Sequence, residues 1–226
     1  MERKPKKESK HGYPGLLISI EGTDGAGRTT QIERLRDWLA IEGYGVVISE
    51  WKTSRLIAKA IDQAKERNLL HAYTFSLLYA SDFADRLEHV IIPALTAGMV
   101  VLTDRYTYTA YSRDVVRGVS PKWIRSLYDF APKPDLVFYL KMPVEILLKR
   151  IIGSSGLDYY ESGRDIGLST DFYESFKIYQ RKILNEYLKM ENEFEFEIVD
   201  GTASIDIIQN KMRKKVKELL DSGVIK

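Results

Sequence analysis

An apolar run, Leu16-Leu17-Ile18-Ser19-Ile20, breaks into Glu21-Gly22-Thr23-Asp24-Gly25-Ala26-Gly27-Arg28-Thr29-Thr30-Gln31, with three glycines inside six residues. The order is that of a buried strand, a Gly-rich turn and the start of a helix with Ile32, Leu35, Trp38 and Leu39 at helical spacing. It matches the phosphate-binding pattern G-x-x-x-x-G-K-[ST] with one change, Arg28 at the lysine position. Glycines let backbone N–H groups close on a polyphosphate, and the helix start adds free N–H groups and a positive dipole end. Gly22, Thr23, Asp24, Gly25, Ala26, Gly27, Arg28, Thr29 and Thr30 are therefore the candidate ATP-binding residues. Arg28 would sit against the β- and γ-phosphates, and the Thr29 hydroxyl could ligand Mg²⁺. Arginine keeps the lysine's charge but is bulkier and forks its donors, so the exchange is not conservative.

A second chemical position follows another apolar run, Met99-Val100-Val101-Leu102-Thr103, which ends in Asp104-Arg105-Tyr106. From a strand end, Asp104 can reach Mg²⁺ directly or through water, and Arg105 can hold a second phosphate. Metal candidates are thus Thr29 and Asp104, and Arg28, Asp104 and Arg105 are catalytic candidates. Without the first motif, Asp104-Arg105 would read as a salt-bridged strand end.

The elements that must hold these residues alternate. Strands are expected at 46–49, 99–103, 136–140 and 194–199 besides the first, and helices at 54–66, 73–97, 107–131 in two pieces, 143–152, 171–191 and 204–220. This order predicts an α/β, three-layer P-loop NTPase fold: a five-stranded parallel sheet with helices on both faces and ligands at the carboxyl ends of the strands. A Gly/Ser/Tyr-rich span, 153–169, reads as a mobile lid.

With 226 residues the chain suits one domain, expected over 15–226. No run is long and apolar enough to span a bilayer and no signal pattern opens the chain, so no membrane partner and a cytoplasmic location are expected. Cysteine is absent, which excludes disulfides and thiolate metal sites. The net charge of +2 is concentrated in the first ten residues, which hold five basic and two acidic side chains. Residues 1–14 are expected to form a flexible basic tail, and no nucleic-acid polymer is expected as a partner. His11, His71 and His89 lack metal-ligand spacing.

On the P-loop, on Ile92-Pro93-Ala94-Leu95 with Asp104-Arg105-Tyr106, and on Pro134-Asp135-Leu136-Val137-Phe138-Tyr139-Leu140, the chain resembles the thymidylate kinases over most of 16–220. Val199-Asp200-Gly201-Thr202 is similar to that family's last strand and turn. The resemblance implies γ-phosphoryl transfer from ATP, with Mg²⁺, to dTMP, and a homodimer. It implies that Asp24 contacts the acceptor sugar and that Asp104 and Arg105 serve the metal and the acceptor phosphate.

Departures from the family pattern set further expectations. Ser49-Glu50-Trp51-Lys52 replaces Arg-Glu-Pro-Gly, leaving Lys52 to supply charge at the acceptor phosphate. The base-reading arginine position falls on Phe83 or Ala84, with Arg86 one turn on. The lid, Gly153-Ser154-Ser155-Gly156-Leu157-Asp158-Tyr159-Tyr160-Glu161, lacks the family's arginines, so Arg150, Arg164 and Arg113 become candidates to neutralise the transferring phosphoryl group, Arg164 as the catalytic one. Candidate acceptor-binding residues are Asp24, Lys52, Phe83, Arg86, Arg105, Tyr111 and Arg113; Tyr106, Tyr108, Tyr159 and Tyr160 flank the same pocket. Two alternatives remain open: a kinase of this fold acting on another small acceptor, and a nucleotide-binding module with little turnover.

Overall fold

The computed structural model describes residues 9–68, 70–153, 156–191 and 193–223. Five parallel strands form the centre: β1 (Leu16–Gly22), β2 (Val46–Glu50), β3 (Val100–Asp104), β4 (Leu136–Lys141) and β5 (Phe196–Asp200), in the order β2-β3-β1-β4-β5. β1 lies in the middle and is buried along its whole length, as a strand covered on both faces must be. Its side chains alternate between two cores. Leu16, Ile18 and Ile20 join α1 (Arg28–Ile41), α7 (Val144–Ile152) and α9 (Ile205–Asp221) on one face. Leu17 faces α3 (Ala72–Arg86), α5 (Thr107–Val116), α6 (Pro121–Leu127) and α8 (Phe172–Glu191) on the other. In α1 the helical spacing of Ile32, Leu35 and Leu39 buries all three, each contributing about 1.5–3 kcal/mol.

The expected helix over 73–97 is α3, a π-helical turn at Leu87–Ile91, and a short α4 (Ile92–Thr96) with Pro93 in its first turn. A short α2 (Ala58–Glu66) packs with the start of α3 and with the lid in a third, small core of Ile61, Leu70, Phe75, Tyr79 and Tyr160. The expected lid takes part in this core through Tyr160. Across 156–169 it is a packed segment with a 3₁₀ turn at Arg164–Ile166, and Tyr160 and Ser162 are buried. Ser154 and Ser155 lie outside the described residues.

Of the expected N-terminal tail, residues 1–8 lie outside the described residues, and Lys10 and His11 bond to the body of the domain. Asp135, just before β4, accepts from the Lys10 and Leu17 backbone N–H groups, both at 2.9 Å, and pairs with His11 Nε2 at 2.9 Å. Among the described residues no helix is long and apolar enough to cross a membrane.

Candidate active site

The glycines of the first loop do what their types require. Gly22, Gly25 and Gly27 have φ of +149°, +78° and +87°, values that L side chains rarely adopt. The loop thus turns tightly out of β1 and hands the chain to α1, whose first-turn N–H groups have no intrahelical acceptor. Arg28 opens that helix and folds back under the loop. Its Nε donates to Asp104 Oδ1 (2.6 Å), and its Nη1 donates to the Gly22 and Thr23 carbonyls (2.6 Å each). A lysine ammonium could not span this set, because only a guanidinium presents donors along two edges. Thr29 Oγ1 lies 3.5 Å from Asp104 Oδ2, and both line a shallow cleft with Glu33, Glu50 and Thr53.

The next residue, Arg105, takes φ +68°, a left-handed conformation uncommon for a side-chain-bearing residue. The turn sends its guanidinium across β1 to an ion pair with Asp24. Burial alone would raise the Asp24 pKa, yet Arg105 and Arg28 hold its carboxyl below the ordinary value. Burial opposes the charge on Arg105, and Asp24 and Asp104 more than restore it, so its pKa lies above the usual arginine value. Beneath the turn, buried Glu21 accepts from the Tyr106 backbone N–H (2.6 Å), Tyr187 Oη (2.7 Å), Thr109 Oγ1 (2.8 Å) and Ser19 Oγ (3.0 Å). These bonds fix the start of α5 against β1 and α8.

Beyond Arg105 and Asp24 a cavity of about 200 Å³ opens between α3, α5, α8 and the lid. Lys52, Lys65, Arg113 and Arg117 add positive charge to its wall. Trp51, Phe75 and Tyr79 give it an aromatic end, and Glu161 is the second acid. The Arg113 guanidinium lies 4.1 Å from the Tyr79 ring centre and 4.5 Å from that of Phe75, while its Nε is held by buried Asp114 at 2.8 Å. The charge of Asp24, together with burial and against Arg105, pushes Glu161 up to about 7. A cationic, aromatic cavity opening onto a P-loop suits a flat, anionic small molecule.

The family model described as thymidylate kinase matches residues 20–212. A Saccharolobus solfataricus protein named probable thymidylate kinase 2 is 41% identical over 212 residues, 93% of this chain and 99% of that one. A probable thymidylate kinase of Pyrococcus horikoshii is 33% identical, over 91% of this chain and 98% of its own. A thymidylate kinase of Desulfotalea psychrophila is 31% identical, over 92% and 96%.

The chain belongs to the thymidylate kinase family.

As a member of the thymidylate kinase family, the chain gathers Arg28, Thr29 and Asp104 at the P-loop and Asp24, Lys52, Arg105 and Arg113 in the cavity wall. Arg150 reaches the loop as well, its Nη1 lying 3.4 Å from the Gly25 carbonyl. Four expected residues lie elsewhere. Phe83 is fully buried among Trp51, Tyr106 and Tyr128. Arg86 is 2% exposed and sits behind Trp51, bonded to Asp82 (3.0 Å) and Ser49 (2.7 Å). Tyr111 packs on Tyr128 and Phe194, partly buried against the core beside α6. Arg164 turns away from the cavity and donates to the Ser169 and Thr170 carbonyls over Phe172. Of the flanking tyrosines, Tyr160 lines the cavity, whereas Tyr106 and Tyr108 are core residues.

Sequence reasoning missed Trp51, Lys65, Phe75, Tyr79, Arg117 and Glu161 as wall residues. Spacing held a signal for two of them. Phe75 and Tyr79 precede Phe83 at four-residue steps, so one stripe of α3 runs from the cavity into the core. Among the described residues no cluster of three His, Cys, Asp or Glu exists that could cage a metal. One carboxylate and one hydroxyl beside a phosphate-binding loop still fit Mg²⁺, which keeps several waters and shares its ligands with phosphates.

Proposed function

We propose that the protein transfers the γ-phosphoryl group of ATP to dTMP, giving dTDP, with Mg²⁺ at Thr29 and Asp104. The observation that carries this reading is that the P-loop separates two sites. Thr29 and Asp104 lie on one side, and Arg105 with Asp24 opens the cationic, aromatic cavity on the other. A phosphoryl group held at the loop would face an acceptor phosphate at Arg105, the arrangement that in-line displacement needs. No covalent enzyme intermediate is required, because positioning and charge neutralisation supply the catalysis. Mg²⁺, when bound, neutralises charge on the phosphate oxygens. Arg28 and Arg105 supply fixed positive charge on either side of the transferring group. Lys52 and Arg113 add charge along the acceptor.

We further propose a single kinase domain over 15–226 that works as a cytoplasmic homodimer, which sedimentation tests. Two observations favour other readings. Phe83 and Arg86 lie outside the cavity, which favours a different small acceptor, and Arg28 is bonded to protein groups through its Nε and Nη1, which favours slow turnover. ADP release from ATP and Mg²⁺, measured against a panel of nucleoside monophosphates and nucleosides with Asp104→Ala as control, separates them. The proposal expects dTMP to lead and the control to be silent. Turnover only with another acceptor moves the substrate. Tight ATP binding without turnover leaves the binding module.

A further inference from the structure

Arg117 caps the C-terminus of α5 and is 7% exposed, yet the chemistry proposed above gives it no task. Its guanidinium is saturated. Nε donates to Asp165 Oδ2 (2.7 Å), and Nη2 donates to the Tyr160 carbonyl (2.7 Å) and Asp165 Oδ1 (3.4 Å). Nη1 donates to Tyr179 Oη on α8 and to the Arg113 carbonyl (3.3 Å). Its Cζ lies over the Phe75 ring, 4.5 Å from the centre. Two of these partners, Tyr160 and Asp165, bracket the lid residues 161–164. One side chain from the body therefore fixes both ends of the turn that carries Glu161 into the cavity wall. Other ties share the load: Lys65 to Asp158 (3.4 Å), the Leu70 N–H to Tyr160 Oη (3.3 Å), Gln180 Nε2 to the Glu161 carbonyl (3.0 Å), and Ser175 Oγ to the Ser162 carbonyl (2.8 Å). None of these spans the turn.

We propose that Arg117 is a positioning residue that pins the lid over the acceptor cavity, so that the body reaches up to a lid without inward-pointing arginines. The inference rests on the acceptor reading of that cavity. Its consequence is selective: Arg117 governs affinity for the acceptor and leaves the P-loop untouched, because its bonds stop at α5, α8 and the lid. Glu161 reports the lid's position, since its raised pKa of about 7 comes first from Asp24 and then from burial, and is modulated by Arg105, Asp158 and Lys65.

The test uses the full chain with Arg117→Met, which removes all five bonds, Arg117→Lys, which keeps the charge but cannot bracket the turn, and Asp165→Asn as the milder change. Calorimetric Kd values for dTMP and for ATP, amide exchange over 156–167, and the carboxyl NMR titration of Glu161 are read for each. The expected result for Arg117→Met is a rise of about tenfold or more in the dTMP Kd with the ATP Kd unchanged. Lid exchange speeds up, and the Glu161 midpoint falls from about 7 toward the ordinary glutamate range. Arg117→Lys is expected to fail to restore these values. Equal losses for ATP and dTMP, unchanged lid exchange, or a Glu161 midpoint still near 7 would overturn the proposal. Should the wild-type chain bind ATP but no monophosphate, the acceptor reading falls instead, and exchange and titration still decide the role of Arg117.

Discussion

Arg28 and Asp104 are joined across 2.6 Å, so the cation of the P-loop and the carboxylate at the end of β3 already neutralise one another. Any metal that takes Asp104 competes with this ion pair, and any phosphate that takes Arg28 frees the carboxylate. Mg²⁺ and ATP should therefore bind with positive coupling, each removing the other's competitor. Arg28→Ala is expected to lose ATP affinity and turnover together, with kcat down by about 10²-fold or more. Arg28→Lys should keep ATP affinity within a few-fold and make it less dependent on Mg²⁺, which calorimetry with and without the metal reads directly.

Asp104→Asn preserves shape and removes charge. It should lower kcat by about 10²-fold or more while raising the Mg²⁺ concentration needed for half-maximal rate. Retention of wild-type turnover at low Mg²⁺ would show that Asp104 is no ligand.

Arg86 is expected to act through packing. Its bonds to Asp82 and Ser49 lie beneath Trp51, and Asp82 also accepts from the Lys52 and Ser54 backbone N–H groups, both at 2.9 Å. Arg86→Met leaves a buried carboxylate without its cation and should cost about 3–5 kcal/mol, a fall of roughly 6–20 °C in Tm. Because the same bonds hold the loop that brings Trp51 and Lys52 to the cavity, the acceptor KM should rise in the folded fraction. A changed preference among bases with an unchanged Tm would instead return Arg86 to base reading.

Stability should fall as pH rises through neutrality. Glu161 titrates near 7 in the folded chain against an ordinary 4.5, so folding takes up a proton between those values. Its contribution is complete below about pH 4.5 and is lost as pH rises through 7, amounting to about 3 kcal/mol at most. Asp24, held below its ordinary value, has the opposite sign and matters only on the acid side. Glu161→Gln should flatten the Tm profile between pH 5 and 8 and raise Tm at pH 8 by roughly 5–10 °C. Parallel profiles for wild type and variant would count against the Asp24–Glu161 repulsion.

What was legible in the chain was local. The P-loop announces itself because strand, glycines, cation, hydroxyl and helix are consecutive, and Asp104-Arg105 because it ends an apolar run. Arg86 shows why the acceptor side was not. It follows Tyr79 and Phe83 on one stripe of α3, but Trp51, arriving from another strand, screens it from the cavity. Arg164 misled for a related reason: the left-handed Gly163 turns the chain just before it, and the side chain faces outward. The contacts of the lid were not legible because the groups that make them, Arg117, Tyr179 and Gln180, are distant in sequence or belong to other elements. Periodicity reports which face of an element is apolar; it does not report which neighbour covers it.

The docking of His11 and Lys10 on Asp135 has a practical corollary. Asp135 stands at the amino ends of the strands, at the pole opposite the P-loop. Lys10 sits at that pole, so a surface tether joined there would leave both proposed nucleotide openings facing the bulk. Trimming the chain back to Gly15 would instead strip Asp135, whose side chain is 3% exposed, of two of its three partners. The segment 9–15 before β1 is a poor place to shorten the molecule.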